Sequence, residues 1–247
     1  MIKQRHSFKY AVKTSDMDFN NRISPFAVLD LFQEAAVMHA TKLGFSHANM
    51  LKRGLFWIMS RVSVEIIQSP SVWDELTVET WPLKPKAIEA RRETEIKNAD
   101  GKVIIRGTSR WCLVDVKART IARLGNDEVK IFTGFDENEA FAGGALKVDY
   151  DVSRTLESVK YVSAMSDLDI NMHVNNVVYA RYALNMLSES EIKQGIKGVH
   201  INYTKELMPG KEITLQSYRE ESGEAKTIKI RGVLDTDTIF KAQVDLL

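Results

Sequence analysis

Asp169, Asn171, His173 and Glu206 are the side chains of this sequence whose types and spacing suit acid–base chemistry at a carbonyl group. A carboxylate or imidazole can take a proton from water, and an amide can donate to a developing oxyanion. Histidine is the residue type that changes charge nearest neutral pH. Asp169, Asn171 and His173 alternate, so an extended segment turns all three to one side. It also holds Asp169 and His173 roughly 13 Å apart at about 3.3 Å per residue, so either the segment curls or the farther group acts through water. Asn175 is a helix-capping residue type, and the N–H groups of Asn176, Val177 and Val178 then open a helix toward the same region, where they can polarise a carbonyl oxygen. Asp169 can orient His173, act as base toward water, or attack the carbonyl itself; the residues leave these routes open. A purely structural reading, a hydrogen-bonded turn that caps a helix, uses the same Asp and Asn residues.

The elements that must position these groups come from an internal repeat. TSDMDFNNRIS at 14–24 matches MSDLDINMHVN at 165–175, with Asp16, Asp18 and Asn20 on Asp167, Asp169 and Asn171. Each copy runs into a helical pattern. Ser24 caps the first helix and Pro25 takes its first position, with Phe26, Leu29, Phe32, Ala36 and His39 at three- and four-residue spacing. Asn175 caps the second, with Val178, Tyr182, Ala183 and Met186 behind it. Strand-like stretches follow at 56–67, 75–81, 88–97 and 103–115, then again at 198–205, 212–220, 225–234 and 238–246, separated by Pro, Gly and Asp turn signals. Strands that follow one another without helices between them predict an antiparallel sheet. The fold class is therefore α+β: a helix wrapped by a curved antiparallel sheet, twice. The segment 134–149 is rich in Gly, Asp, Glu and Asn and reads as a linker, which divides the chain into 1–133, a linker at 134–152, and 153–247.

The two copies differ where the chemistry would be. Arg22 stands in the place of His173, Ser24 in that of Asn175, and Ile67 in that of Glu206, which predicts one active site per chain. Composition limits the alternatives. The 247 residues carry 34 Lys plus Arg against 33 Asp plus Glu, with 44% apolar residues, as a soluble globular chain with a sizeable core requires. Net charge near zero argues against nucleic-acid binding, although residues 1–135 carry 21 basic and 15 acidic side chains and could draw an acidic partner. The first residues carry no signal-peptide pattern, and no run approaches the roughly 20 apolar residues of a membrane span. The single cysteine, Cys112, excludes an internal disulfide framework and a cysteine-rich metal site, and its strand-like setting reads as a buried structural thiol in a reducing, cytoplasmic compartment.

Four stretches in order along the chain resemble the acyl-acyl-carrier-protein thioesterases of bacteria and plant plastids. They are LDLFQEAAVMHATKLG at 29–44, FWIMSRVSVEI with SVWDELTVETWP at 56–82, GTSRWCLVD at 107–115, and SDLDINMHVNNVVYARY at 166–182. The last is the most specific. The resemblance implies a tandem double hotdog fold and hydrolysis of a fatty acyl thioester on the phosphopantetheine arm of acyl carrier protein, releasing free fatty acid without metal or cofactor. It implies catalytic roles for Asp169, Asn171, His173 and Glu206. A cysteine often follows that glutamate in the family; here the residue is Leu207, so a thiolate nucleophile at that position is impossible. The N-terminal unit would shape the acyl pocket, with Met38, Trp57, Met59 and Trp111 as candidate lining, each equally readable as ordinary core. Arg91, Arg92, Arg106 and Arg110 could meet the acidic carrier. The absence of a plastid targeting extension makes the bacterial form the nearer one, working as a monomer or homodimer.

Three other readings are carried beside it. A hotdog hydrolase of acyl-coenzyme A would need a compact basic pocket for the diphosphate rather than a broad basic surface. A non-catalytic acyl-thioester-binding module would have no need of His173 and Glu206. A dehydratase on the same fold would exchange isotope into a 3-hydroxyacyl substrate without releasing acid.

Overall fold

The computed structural model describes residues 5–125, 136–170, 172–223 and 225–247. Its order is β1 (His6–Ala11), α1 (Pro25–Lys42), α2 (His47–Lys52), β2 (Leu55–Ile66), β3 (Glu75–Pro82), β4 (Ala90–Lys97), β5 (Val103–Asp115) and β6 (Thr120–Ala122). It continues with β7 (Glu157–Val162), α3 (Asn176–Leu184), α4 (Glu189–Gln194), β8 (Ile196–Tyr203), β9 (Glu212–Ser222), β10 (Ala225–Leu234) and β11 (Asp237–Leu246). The strands form one antiparallel sheet in the order β1-β3-β4-β5-β2-β8-β11-β10-β9-β7, with β6 beside β5. Read outward from the β2–β8 seam, the halves are the same series, so the repeat seen in the sequence is also the symmetry of the sheet. β1 and β7, the two outer edges, were not expected. Each is only six residues long, HSFKYA and ESVKYV, and packs no more than one or two apolar side chains, Phe8 and Tyr10 or Tyr161, against the core.

Both long helices lie on one face of the sheet and touch each other there, where the Arg181 guanidinium sits 4.4 Å over the Phe26 ring. Their starts follow from their caps. Ser24 Oγ accepts from the Phe26 N–H and Asn175 Oδ1 from the Val177 N–H, at 3.3 and 3.0 Å. Alternate residues of the seam strands point at the helices: Val62 and Val64 of β2 join Val199 and Ile201 of β8, Val28, Leu29 and Phe32 of α1, and Val178 and Tyr182 of α3 in a single core. Gly107 of β5 admits the Phe32 ring, because a Cβ there would lie 2.5 Å from Phe32 Cε2. α2 caps a smaller cluster of Leu43, Phe45, Met50 and Leu113.

Residues 136–150 cross the opposite face of the sheet and are pinned by buried polar groups. The carboxylate of Glu93, itself fully buried, accepts from the Phe141 N–H at 3.0 Å and from the Thr108 hydroxyl. Further along, Ser63 Oγ accepts from the Leu146 N–H at 2.9 Å, and Asn202 Oδ1 from the Val148 N–H at 2.9 Å. Since an unpaired buried polar group costs about 1–3 kcal/mol, these bonds fix the path of the strap rather than merely decorate it.

Candidate active site

The segment that carries Asp169 and His173 is not extended. It closes into a tight loop in which the Asp169 N–H donates to the His173 carbonyl at 3.0 Å and the Met172 N–H to the Asp169 carbonyl at 3.0 Å. Met172 takes the left-handed conformation, φ 61°, that the turn needs, and Leu168 and Val174 pair across it. The roughly 13 Å separation of an extended segment therefore gives way to a hydrogen-bonded pair. Asn171 lies outside the described residues.

The loop is held from below. Asp167 accepts from the Tyr182 hydroxyl at 2.8 Å and from the Ala164 N–H at 2.9 Å, which ties the turn to α3. The Val174 N–H donates to the Leu207 carbonyl at 3.0 Å, and this bond draws the segment after β8 against the loop. Glu206 thereby reaches His173, with Nε2 to Oε2 at 3.1 Å. The side chains are 28% and 46% exposed, so the pair is open to a substrate from solvent. Leu207 is fully buried in the core.

Burial raises the hydroxyl pKa of Tyr179, on the first turns of α3, far above its usual value, and the charges of Glu206 and Asp169 add to that rise. Both carboxylates therefore bear on the same end of α3. Tyr203 at the end of β8 donates its hydroxyl proton to the Asn176 carbonyl at 3.0 Å, fixing the helix opening to the sheet. Of the opening N–H groups, that of Val177 is taken by Asn175 Oδ1 and that of Val178 by the Asn175 carbonyl. The Asn176 N–H has no acceptor among the described residues, so the oxyanion-directed donor narrows to this one group.

The four candidate lining residues do not gather at one place. Met59 and Trp111 face each other across β2 and β5 in the main core, whereas Trp57 packs edge-on against Phe45 in the smaller cluster at 6.4 Å. Met38 lies on the exposed side of α1. The four arginines also divide. Arg92 is buried on the helix side with its guanidinium 3.0 Å from His39 Nδ1, while Arg91 and Arg110 lie on the strap side and Arg106 pairs with Glu65. Neighbouring strand residues point to opposite faces, so Arg91 and Arg92 cannot meet one partner. Cys112 is buried, and burial raises its thiol pKa.

Sequence reading missed one line of polar groups. His200 stands between Ser63 Oγ at 2.8 Å and Asp245 Oδ2 at 2.9 Å. Ser63 is fully buried beneath the strap and also accepts the Leu146 N–H, so the line serves as a clasp across the seam. Its members lie 45 and 137 residues apart, and only the pairing of β2, β8 and β11 brings them together.

Comparison with known proteins decides the family. Residues 3–132 match the acyl-ACP thioesterase N-terminal domain and residues 150–244 the acyl-ACP thioesterase C-terminal domain. The chain belongs to the acyl-ACP thioesterase family. Oleoyl-acyl carrier protein thioesterase 2, chloroplastic, of Arabidopsis thaliana is 28% identical over 216 residues, covering 80% of this chain and 58% of that protein. The corresponding chloroplastic oleoyl thioesterase of Coriandrum sativum is 27% identical over 234 residues, covering 86% and 58%. The chain thus spans a little under three fifths of the length of these curated relatives. Among solved structures, the 12:0-ACP thioesterase from Umbellularia californica superposes with a TM-score of 0.90 at 20% identity, covering 100% of this chain and 95% of that one. An acyl-ACP thioesterase from Bacteroides thetaiotaomicron gives 0.86 at 20% identity, covering 98% and 97%. The fold is the tandem double hotdog of this family. Among the described residues, no helix is long and apolar enough to cross a membrane.

Proposed function

We propose that this acyl-ACP thioesterase family member hydrolyses fatty acyl thioesters carried on the phosphopantetheine arm of acyl carrier protein, releasing free fatty acid and holo-carrier and so ending elongation. The observation that carries the reading is the His173–Glu206 pair, 3.1 Å apart at the opening of α3 in a chain of this family. His173 takes the proton of the attacking water while Glu206 holds the ring and offsets the positive charge of the imidazolium that forms. His173 passes the proton to the departing thiol. The Asn176 N–H, with the positive end of α3 behind it, meets the oxygen of the tetrahedral intermediate. Asp169 fixes the loop that presents His173, and Asn171 is assigned to the same machinery by its place in the motif.

With Leu207 after the glutamate and Cys112 buried in the other half, no thiolate serves as the nucleophile; water attacks either the thioester itself or an anhydride first formed by Asp169. The residues 153–247 supply the chemistry and 1–133 the acyl pocket, joined through 134–152. The unit works as a monomer or homodimer in the cytoplasm, a setting that suits a lone reduced cysteine. The test is free-acid release from matched acyl chains on acyl carrier protein and on coenzyme A. Release favouring the carrier protein supports the reading. Preference for coenzyme A would replace it with an acyl-CoA hydrolase, and no release from either would leave a binding module.

A further inference from the structure

The seam between the two halves is paired only over part of its length. β2 and β8 are bonded from Glu65 opposite Gly198 to Arg61 opposite Asn202; beyond that row Ser60 forms a bulge, residues 55–59 pair with β5 alone and Tyr203 with β11 alone. The sheet therefore forks, and a cavity of about 370 Å³ lies at the fork, with Ser60 and Arg61 on one prong and Asn202, Tyr203 and Thr204 on the other.

The residue row at the fork is strongly basic. Arg91, Arg110 and Arg61 stand opposite one another on β4, β5 and β2, and past Asn202 the same row continues with Lys241 on β11 and Arg231 on β10. Like charges directly opposite each other destabilise a sheet unless something neutralises them. The outer members are served: Arg91 by Glu93 and Glu139, Arg110 by Glu89 at 3.1 Å, and Arg231 by Gln216 and the Tyr150 ring. The central ones are not. Arg61, Lys241 and the strap's Lys147 all line the cavity and make no ion pair among the described residues, and Glu89 is the one carboxylate in the lining.

The chain at the fork links the cavity, on the strap side of the sheet, to the proposed active site on the helix side. Thr204 of its wall precedes Glu206 by two residues, and Tyr203 holds the Asn176 carbonyl. From the basic row at Asn202 to Glu206 the chain covers at most about 13 Å, at roughly 3.3 Å per residue. The pseudo-equivalent fork at the other end of the seam is closed, because Arg22 donates to the Gln194 carbonyl at 3.0 Å and its guanidinium fills the space a Cβ on Gly195 would need.

We propose that the cavity at the seam fork is an anion site in which Arg61, Lys147 and Lys241 take the phosphate of a phosphopantetheine thioester while its carbonyl rests against His173 and Glu206. The proposal rests on the hydrolase reading above and adds to it the part of the substrate that is gripped. Pantoate, β-alanine and cysteamine separate that phosphate from its sulfur, three units each at least the length of an extended residue, about 3.5 Å, so the arm spans roughly 10 Å or more, the same order as that upper bound. Planar guanidinium and ammonium donors converging on one cavity are the groups that recognise a phosphate ester.

The experiment compares one acyl chain on 4′-phosphopantetheine and on pantetheine, which lacks the phosphate, in the wild type and in the double variant Arg61→Ala with Lys241→Ala. The wild type should show kcat/KM at least about tenfold higher with the phosphate, expressed in KM, since a charged hydrogen bond is worth a tenfold factor or more. In the double variant that ratio should fall toward one. A wild type indifferent to the phosphate, or a ratio unchanged in the variant, overturns the site while leaving the hydrolase reading standing. Calorimetry of 4′-phosphopantetheine against pantetheine with the wild type alone covers the cases of a poorly folding variant or an inactive enzyme. Tighter binding of the phosphorylated arm supports the site even if no thioester is cleaved, and equal binding rejects it.

Discussion

Arg22 and His173 stand at the same point of two turns whose backbone hydrogen bonds correspond one for one. Asp18 bonds to the carbonyl of Arg22 as Asp169 does to that of His173, and Asn21 and Met172 both take the left-handed conformation at φ 56° and 61°. Ser24 and Asn175 then bond back to Asp16 and Asp167 at 2.7 and 2.9 Å. A shared scaffold carries opposite outcomes. Arg22 reaches across the seam and closes it, whereas His173 turns to Glu206 and faces solvent. Asp16 and Asp167 thus anchor the two turns alike, through a tyrosine hydroxyl and a backbone N–H, and the His173 and Glu206 positions, which differ between the copies, carry the proposed chemistry.

That division predicts unequal effects from equal lesions. Ser24→Ala and Asn175→Ala each remove one N-cap and should each cost about 0.5–2 kcal/mol in chemical denaturation. Only Asn175→Ala should lower kcat, because it frees the opening of α3 beside His173. Equal loss of activity in both variants would show that the helix openings contribute only stability.

Gly107 should resist replacement. A Cβ at this position would meet the Ser63 carbonyl oxygen at 2.3 Å and the Phe32 ring at 2.5 Å, and neither backbone nor core ring can withdraw cheaply. Gly107→Ala should cost roughly 1–3 kcal/mol, at about 2–4 °C of Tm per kcal/mol for a chain of this size. A Tm within 1 °C or so of wild type would mean that α1 rides less closely on β5 than the structure has it.

Much of this architecture was legible because local chemistry and burial agree. Ser24, Pro25 and Asn175 mark their helices from sequence, and β3, β5 and β10 fall where alternation and turn residues put them. The edge strands were not legible, since each is only six residues long and β7 leaves almost all of its side chains exposed, so neither offers a sizeable apolar face. Asp169, His173 and Glu206 were recognisable by type, yet their joining depends on the curl at Met172 and on the Leu207 carbonyl, neither of which has a sequence signal. The basic row is spread over five strands between residues 61 and 241, so only the register of the sheet reveals it.

Acid stability should report the contact between α4 and β9. Its hydrogen bond with Arg219, against the opposing effect of burial, draws the carboxyl of Glu191 from 4.5 down to about 2, aided by the Ser188 N–H. A carboxyl with a depressed folded pKa stabilises the fold above its unfolded value and loses that contribution as pH falls through the folded one. The Tm advantage of wild type over Glu191→Gln should therefore be full above about pH 4.5 and shrink as pH falls toward 2. A difference that stays constant across that window would contradict the assignment.

The central claim is that His173 and Glu206 act together on an acyl thioester. Its most direct measurement is single-turnover release of fatty acid from acyl-acyl-carrier protein by wild type, His173→Ala, Glu206→Gln and the double variant, with folding checked by circular dichroism. Each single change should lower the rate at least about a hundredfold, as loss of a general acid–base group does. The double variant should fall little further, as residues working as one unit do. Folded His173→Ala or Glu206→Gln enzyme that releases acid within a few-fold of wild type would contradict the account.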